Sequence, residues 1–79
     1  DIGSEPLEID YNSFRELFRN KRGKIKQLLM NQEFIAGIGN IYASEILFLS
    51  KIHPEEEVSK LDEKDFENIF KNMQFILKE

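Results

Sequence analysis

The chain has 79 residues, no cysteine and a single histidine, and its formal net charge at pH 7 is −4. This length gives one small domain or part of a larger protein, with about 3–5 kcal/mol of net stability from its core. Without cysteine there is no disulfide and no thiolate metal site, which fits a reducing compartment. The longest apolar stretch, residues 36–50, is short and interrupted by polar side chains, so we expect a soluble chain with no transmembrane helix or signal peptide.

The N-terminal region predicts a linker followed by a helix. Residues 1–9 contain glycine, serine and proline, which is typical of a linker or incoming arm. Asp10 is a suitable N-cap for a first helix over residues 11–20. That helix should end near Asn20 and Gly23, two residues that adopt left-handed backbone conformations readily.

Two further helices are predicted in the middle of the chain. The second covers residues 24–31, and its apolar face leaves Lys24 and Lys26 directed toward solvent or a ligand. Asn40 is a suitable N-cap for a third helix over residues 41–50. Because that helix is apolar almost all round, we expect it to be the buried central helix.

The C-terminal region predicts an exposed acidic loop and a final amphipathic helix. Three consecutive glutamates indicate the loop within residues 51–60. Asp62 is the predicted N-cap, and Leu61 with Phe66 would form a hydrophobic staple. Apolar residues then recur at helical spacing: Phe66, Ile69, Phe70, Met73 and Leu77. The predicted fold class is all-α, with four helices in one domain over residues 10–79 and no sheet.

Charge is distributed unevenly along the chain. Residues 14–31 hold six basic side chains and one acidic one, a local balance of +5, so the other residues together carry −9. The six are Arg15, Arg19, Lys21, Arg22, Lys24 and Lys26. A polyanion responds to charges within a Debye length of about 8–10 Å, so this segment is a candidate for contact with DNA or RNA. The competing interpretation is a solvated helix end with scattered cations.

The sequence "GIGN" immediately before the third helix is a candidate phosphate site. Gly37 and Gly39 leave backbone N–H groups accessible, and the positive end of the helix dipole favours an anion there. Asn40 adds an amide donor, while Lys24 and Lys26 could supply the cations. The competing interpretation is a turn between packed helices, since the full dinucleotide-binding fingerprint is absent.

Residues 25–54, "IKQLLMNQEFIAGIGNIYASEILFLSKIHP", resemble the signature region of the formamidopyrimidine-DNA glycosylase and endonuclease VIII family. The run "GIGNIYASEILF" followed by "IHP" is specific, and "EPLE" and "LDEKDF" fit on either side. The resemblance covers roughly residues 5–79 and is closer to the formamidopyrimidine branch. It implies the helix–two-turns–helix domain of base-excision-repair enzymes.

The resemblance also implies an activity whose parts are not all in this chain. Family members excise oxidised purines such as formamidopyrimidine and 8-oxoguanine from damaged double-stranded DNA, then cleave the abasic strand as AP lyases. Their nucleophile is an N-terminal proline amine, and a C-terminal finger binds one zinc ion. This chain begins with Asp1 and has no cysteine. We therefore expect an inactive fragment without catalytic residues or metal, separated from its catalytic domain and zinc finger, and a bacterial cytoplasmic parent associated with the nucleoid.

Family roles extend to the positions that match the motif. The resemblance implies that Asn40 hydrogen-bonds a DNA phosphate beside the flipped-out nucleotide, with Gly39 shaping the turn. It implies that Lys26 faces the active-site cleft, although a solvated surface lysine is the competing interpretation. Tyr42 and Glu45 match the motif as well, and we expect them to pack and brace the two turns.

Lys51 and Gln27 depart from the residues that relatives often have, and His53 is a candidate general base. Lys51 stands where relatives often have a glycine in left-handed geometry, which would cost about 1 kcal/mol here. Gln27 stands where relatives often have proline, which alters the entry to the second helix but removes no proposed contact. His53 is expected to be a loop histidine that bonds locally beside Pro54, rather than a general base.

Two other classes of function remain open at this point. A helix-hairpin-helix-like module also uses a "GIG" turn to hold backbone phosphates without any catalysis. A helical protein–protein domain would instead use the acidic last helix. The encoded N-terminus and distal cysteines of the parent protein would distinguish the glycosylase from both.

Overall fold

The computed structural model describes residues 9–32 and 40–77. These residues form four α-helices: α1 (Tyr11–Glu16), α2 (Ile25–Met30), α3 (Asn40–Leu49) and α4 (Glu63–Leu77). A short 3₁₀ helix, Val58–Lys60, precedes α4. Within the described ranges there is no strand, only an isolated bridge between Lys24 and Glu57. The all-α prediction is confirmed.

Helix α1 begins as predicted but ends earlier. The side chain of Asp10 accepts a hydrogen bond from the backbone N–H of Ser13 at 2.8 Å, which confirms the N-cap and lowers the pKa of its carboxyl. The prediction of a helix to residue 20 is wrong, because the chain tightens beyond Glu16. Consecutive i→i+3 bonds, such as Arg19 N–H to the Glu16 carbonyl at 3.3 Å, replace the α-helical pattern there.

The core lies between α4 and the other helices, with α3 against both α2 and α4 and α1 against α4. Its fully buried large side chains are Phe14, Ile25, Leu29, Ile46, Leu47, Phe66, Ile69 and Met73. The Phe14 ring lies 5.1 Å from that of Phe18 and 5.3 Å from that of Phe70, centroid to centroid. This aromatic cluster joins α1 to α4.

A polar seam covers the outside of the aromatic cluster. The hydroxyl of Tyr11 donates to Oε2 of Glu63 at 2.5 Å, and Nε of Arg15 lies 3.2 Å from Oε1 of the same carboxylate. Burial, followed by the bond to Glu63, raises the pKa of Tyr11 to about 12. The hydrogen bond from Tyr11 is also the main reason why the pKa of Glu63 is lowered. The seam therefore fixes the position of α1 on the first turn of α4.

The start of α4 is held by a reciprocal pair of aspartates. The N–H of Asp65 donates to Oδ1 of Asp62 at 2.8 Å, and the N–H of Asp62 donates to Oδ2 of Asp65 at 3.1 Å. This arrangement is a capping box with aspartate in the third position. Leu61 is partly buried against the core and Phe66 is fully buried, as the predicted staple requires.

The prediction that α3 is the buried central helix holds for one of its faces only. Its residues Ala43, Ile46 and Leu47 are fully buried, whereas Ile41 and Phe48 are each 77% exposed. The reason is geometric: among the described helices α3 packs mainly against α2 and α4, and these two leave the face with Ile41 and Phe48 uncovered. An apolar pattern shows which residues tolerate burial, but it does not show how many helices are present to bury them.

Lys51 ends α3 in left-handed geometry, with φ of +61°. Its N–H donates to the Phe48 carbonyl at 3.0 Å, and the N–H of Ile52 donates to the Leu47 carbonyl at 2.9 Å. These two bonds form a Schellman motif, a helix end at which glycine is the favoured residue. The hydroxyl of Ser50 adds a bond to the Ile46 carbonyl and accepts one from Asn72 of α4.

We expect Lys51→Gly to stabilise the chain by about 1 kcal/mol, because glycine adopts positive φ without a Cβ penalty. For a domain of this size that corresponds to a rise in Tm of about 4–8 °C. Thermal unfolding followed by circular dichroism would measure it. Lys51→Ala is the matched control, since it removes the same side-chain charge but keeps the Cβ. Equal gains from both variants would show that backbone geometry is not the cause.

Candidate nucleic-acid interface

The loop after α3 holds the start of α2. The N–H of Ile25 donates to the Glu56 carbonyl at 2.9 Å, and the N–H of Lys26 donates to the Pro54 carbonyl at 3.2 Å. Two backbone donors that a helix start leaves unsatisfied are thereby satisfied by protein rather than by water. The "IHP" segment thus contributes directly to the geometry around the predicted cations.

His53 bonds locally, as predicted. Its Nδ1 accepts a hydrogen bond from the N–H of Glu55 at 3.0 Å, and its side chain is exposed. The ring therefore orders the turn that follows it. This bond uses the nitrogen that would otherwise be available as a base, which agrees with a structural role.

The acidic run of residues 55–57 is not simply a solvated loop, which corrects that prediction. Glu57 is half-buried, and its Oε2 accepts from the N–H of Gly23 at 2.7 Å. Glu55 is exposed but forms an ion pair with Lys24, with 2.8 Å between Oε1 and Nζ. Glu55 and Glu57 find these partners because the loop crosses the chain just before α2, where the N–H of Gly23 and the ammonium group of Lys24 lie.

Lys24 and Lys26 lie on one groove, which we name the α2 groove. It is lined by Lys24, Lys26, Gln27, Met30, Asn31, Pro54 and Glu55. The two lysines that the sequence singled out are therefore brought together beside the "IHP" segment. The sequence had predicted that Lys24 lies within α2. In the structure Lys24 is instead the N-cap residue that precedes the helix.

Glu55 was not predicted to belong to this groove. Its hydrogen bond and charge interaction with Lys24 raise the pKa of that lysine and lower the pKa of the glutamate, which also interacts with the charge of Lys26. Because the pKa of Glu55 is lowered in the folded state, any stability from this shift is present at pH values above the ordinary pKa of a glutamate. It is lost as the pH falls through the lowered pKa of the folded state. Both side chains are more than half exposed, so water screens the pair strongly. The Glu55 carboxylate would therefore compete with a bound anion for the ammonium group of Lys24.

The basic segment is divided between structural and unpaired cations. Arg15 pairs with Glu63 and stacks over the Phe66 ring, with 3.9 Å from Cζ to the centroid, and Arg19 pairs with Glu16 at 2.8 Å. With Lys24 engaged by Glu55, three cations of this segment form no ion pair within residues 9–32 and 40–77: Lys21, Arg22 and Lys26. These three are the side chains available to a polyanion.

The glycine turn lies outside the described part of the chain. Gly37 and Gly39 fall in residues 33–39, so their phosphate-binding role stays a prediction. The described part of helix α3 begins at Asn40, and whether Asn40 is the N-cap depends on residue 39, so that prediction also lies outside the described residues. Tyr42 and Glu45 line an apolar groove with Ile41, Phe75 and Ile76, away from the two lysines.

Two further observations limit what the described residues do. None of their helices is long and apolar enough to span a membrane. No three of their histidine, aspartate or glutamate side chains are grouped so as to hold a metal ion. With no cysteine anywhere in the sequence, the donor set expected of a zinc finger is not present in this chain.

Basic side chains clustered on one part of the surface are one feature by which a nucleic-acid-binding surface is recognised, and this chain has such a cluster although its net charge is −4. Residues 2–79 match the formamidopyrimidine-DNA glycosylase H2TH domain, so the chain belongs to that family. This confirms the resemblance seen in the sequence.

Relatives named formamidopyrimidine-DNA glycosylase extend this result. The protein from Mycoplasma mobile is 43% identical over 78 residues, which are 99% of this chain and 28% of the relative. Those from Mycoplasma genitalium and Legionella pneumophila are 45% and 41% identical over 78 residues, each covering 96% of this chain and 28% of the relative. The chain thus spans little more than a quarter of these proteins' length. Among solved structures, none matches it.

Proposed function

We propose that this chain is the DNA-contacting middle domain of a bifunctional DNA glycosylase and AP lyase that removes oxidised purines from double-stranded DNA. The observation that carries the proposal is the α2 groove, where the motif-matched Lys26 lies beside Lys24 in a domain of the glycosylase family. Phosphate oxygens are the anions that such lysines bind in nucleic acids.

The groove supports a phosphate contact by its charge. Lys26 makes no ion pair within the described residues, so a phosphate would displace no hydrogen-bonded carboxylate from its ammonium group, although the charge of Glu55 acts on it. Lys24 is held by a carboxylate that a phosphate could replace, because both anions accept hydrogen bonds from an ammonium group. Asn40, at the start of α3, would add a neutral donor, and the turn at Gly37 and Gly39 would add backbone donors.

Catalysis in this proposal belongs to the rest of the full-length protein. The relatives are more than three times as long as the matched region, which leaves room for a catalytic domain and a zinc finger. In the part of the chain that the structure describes, no group of histidine, aspartate or glutamate side chains fits a zinc site, and the sequence has no cysteine, so we assign no metal-dependent step to these residues. The bacterial relatives suggest that the full-length protein acts on chromosomal DNA in the cytoplasm.

Lys26→Gln and Asn40→Ala in the full-length protein should each weaken binding to duplex DNA with an abasic-site analogue. The slope of log K against log salt should fall by about one unit in Lys26→Gln, because one cation no longer releases a counterion from a phosphate. The slope should stay the same in Asn40→Ala, because the lost amide donor is neutral. Fluorescence anisotropy at several salt concentrations measures both quantities. Lys64→Gln is the control, since it removes an exposed lysine from α4. An unchanged slope in Lys26→Gln, or an unchanged affinity in Asn40→Ala, would contradict the assignment of that residue.

Glu55→Gln provides a test of opposite sign. Removing the carboxylate leaves Lys24 unpaired, so DNA affinity should rise about two- to fivefold at low salt. Glu67→Gln, at an exposed position on α4, removes the same charge away from the groove and should have little effect.

Strand incision by the unaltered full-length protein on an 8-oxoguanine duplex separates the glycosylase from a non-catalytic binding module.

A further inference from the structure

We propose that the turn formed by residues 20–23, which we name the basic turn, is a second phosphate contact on the DNA strand that passes the α2 groove. The proposal rests on the proposed function and adds Lys21 and Arg22 to it. Neither residue was assigned a role by the sequence, beyond its share of the positive segment.

The basic turn is anchored at both ends, so its two cations project from a fixed backbone. Asn20 has φ of +61° and Gly23 has φ of +120°. The N–H of Lys21 donates to the Phe18 carbonyl at 3.3 Å, which ties the turn to the end of α1. Because the backbone of the turn is already ordered, the conformational cost of binding here is limited to the ordering of two side chains.

The second anchor is the acidic loop. The N–H of Gly23 donates to Oε2 of Glu57 at 2.7 Å, and the carbonyl of Gly23 accepts from the N–H of Val58 at 2.9 Å. Glu57 and Ser59 line the depression around the basic turn, and Glu57 is the acidic side chain in that lining. Since one of its oxygens is committed to the backbone of Gly23, Glu57 serves to hold the turn, and it forms no ion pair with Lys21 or Arg22.

The charges of the turn are available and are close to the α2 groove. Lys21 and Arg22 are both exposed, and neither pairs with a carboxylate in the described part of the chain. The Cα atoms of Arg22 and Lys24 are two residues apart, so they are separated by at most about 7.6 Å. Duplex DNA carries a phosphate every 3.4 Å of axis on each strand, so a strand bound at Lys26 presents further phosphates within reach of these side chains.

The double variant Lys21→Gln/Arg22→Gln in the full-length protein tests the proposal. The slope of log K against log salt should fall by about 1.8, because two cations no longer release counterions from phosphates. Affinity should fall equally for damaged and undamaged duplexes, since phosphates carry no sequence information. The matched control is Lys64→Gln/Lys71→Gln, which removes two exposed cations from α4. Thermal unfolding should be unchanged in both double variants.

The outcomes separate this inference from the proposed function. If the Lys21/Arg22 variant loses slope while the Lys64/Lys71 variant does not, the second contact is supported. If both variants lose slope equally, net charge is responsible and the second contact is overturned. If Lys26→Gln weakens binding but the Lys21/Arg22 variant behaves as its control, the inference fails and the proposed function stands. If the unaltered protein does not bind duplex DNA at low salt, the proposed function itself fails.

Discussion

Phe14→Ala is expected to unfold much of the population of this chain. The side chain is fully buried between α1 and α4, and its ring packs against those of Phe18 and Phe70. Truncating a buried phenylalanine costs about 3–5 kcal/mol, because transfer free energy is lost and a cavity remains. A domain of this size has about 3–5 kcal/mol of stability in total. The variant should therefore lose most or all of its cooperative unfolding transition.

Phe48→Ala is the matched control for this experiment. It deletes the same atoms from a ring that is 77% exposed, so its stability should change by less than about 0.5 kcal/mol. Urea unfolding followed by circular dichroism at 222 nm measures both variants. Similar losses in the two would mean that Phe14 is not the centre of the core. If Phe14→Ala lost only a little stability, α1 would not depend on this aromatic cluster.

The features that could be predicted from sequence are those fixed by neighbours in the chain. The caps at Asp10 and Asp62 each bond to a residue three positions later, so a short pattern contains both partners. The left-handed residues Asn20 and Gly23 were predicted for a similar reason, since each depends mainly on its own side chain and the adjacent helix end. Local chemistry determines these features.

The features that were missed depend on residues distant in the chain. Glu57 reaches Gly23 across 34 positions, and no local pattern distinguishes it from the neighbouring Glu55 and Glu56. The pairing of Glu55 with Lys24 was missed for the same reason. The exposure of Ile41 depends on how many helices surround α3, which apolar spacing does not specify. The candidate site was thus predictable as a set of cations, but not as a set of ion pairs.

Gly23→Ala is the second large effect that we expect, at about 1–3 kcal/mol of lost stability. A φ of +120° is accessible to glycine but strained for a residue with a Cβ. A Cβ built at this position meets no atom within 4 Å, so the cost arises from the backbone and not from a clash. The turn cannot rotate to relieve the strain without losing its bonds to Glu57 and Val58.

The origin of that loss can be isolated by combining Gly23→Ala with Glu57→Ala. Lys21→Ala is the control within the same turn, because it is exposed and its φ is not positive, so it should change stability by less than about 0.5 kcal/mol. If alanine at position 23 displaces the backbone N–H, the bond to Glu57 is already lost, and the two substitutions together should cost less than their sum. Additive losses would show instead that the turn keeps its bond and carries the strain. Sub-additive losses would show that Gly23 and Glu57 act as one anchor, which fixes the backbone that carries Lys21 and Arg22.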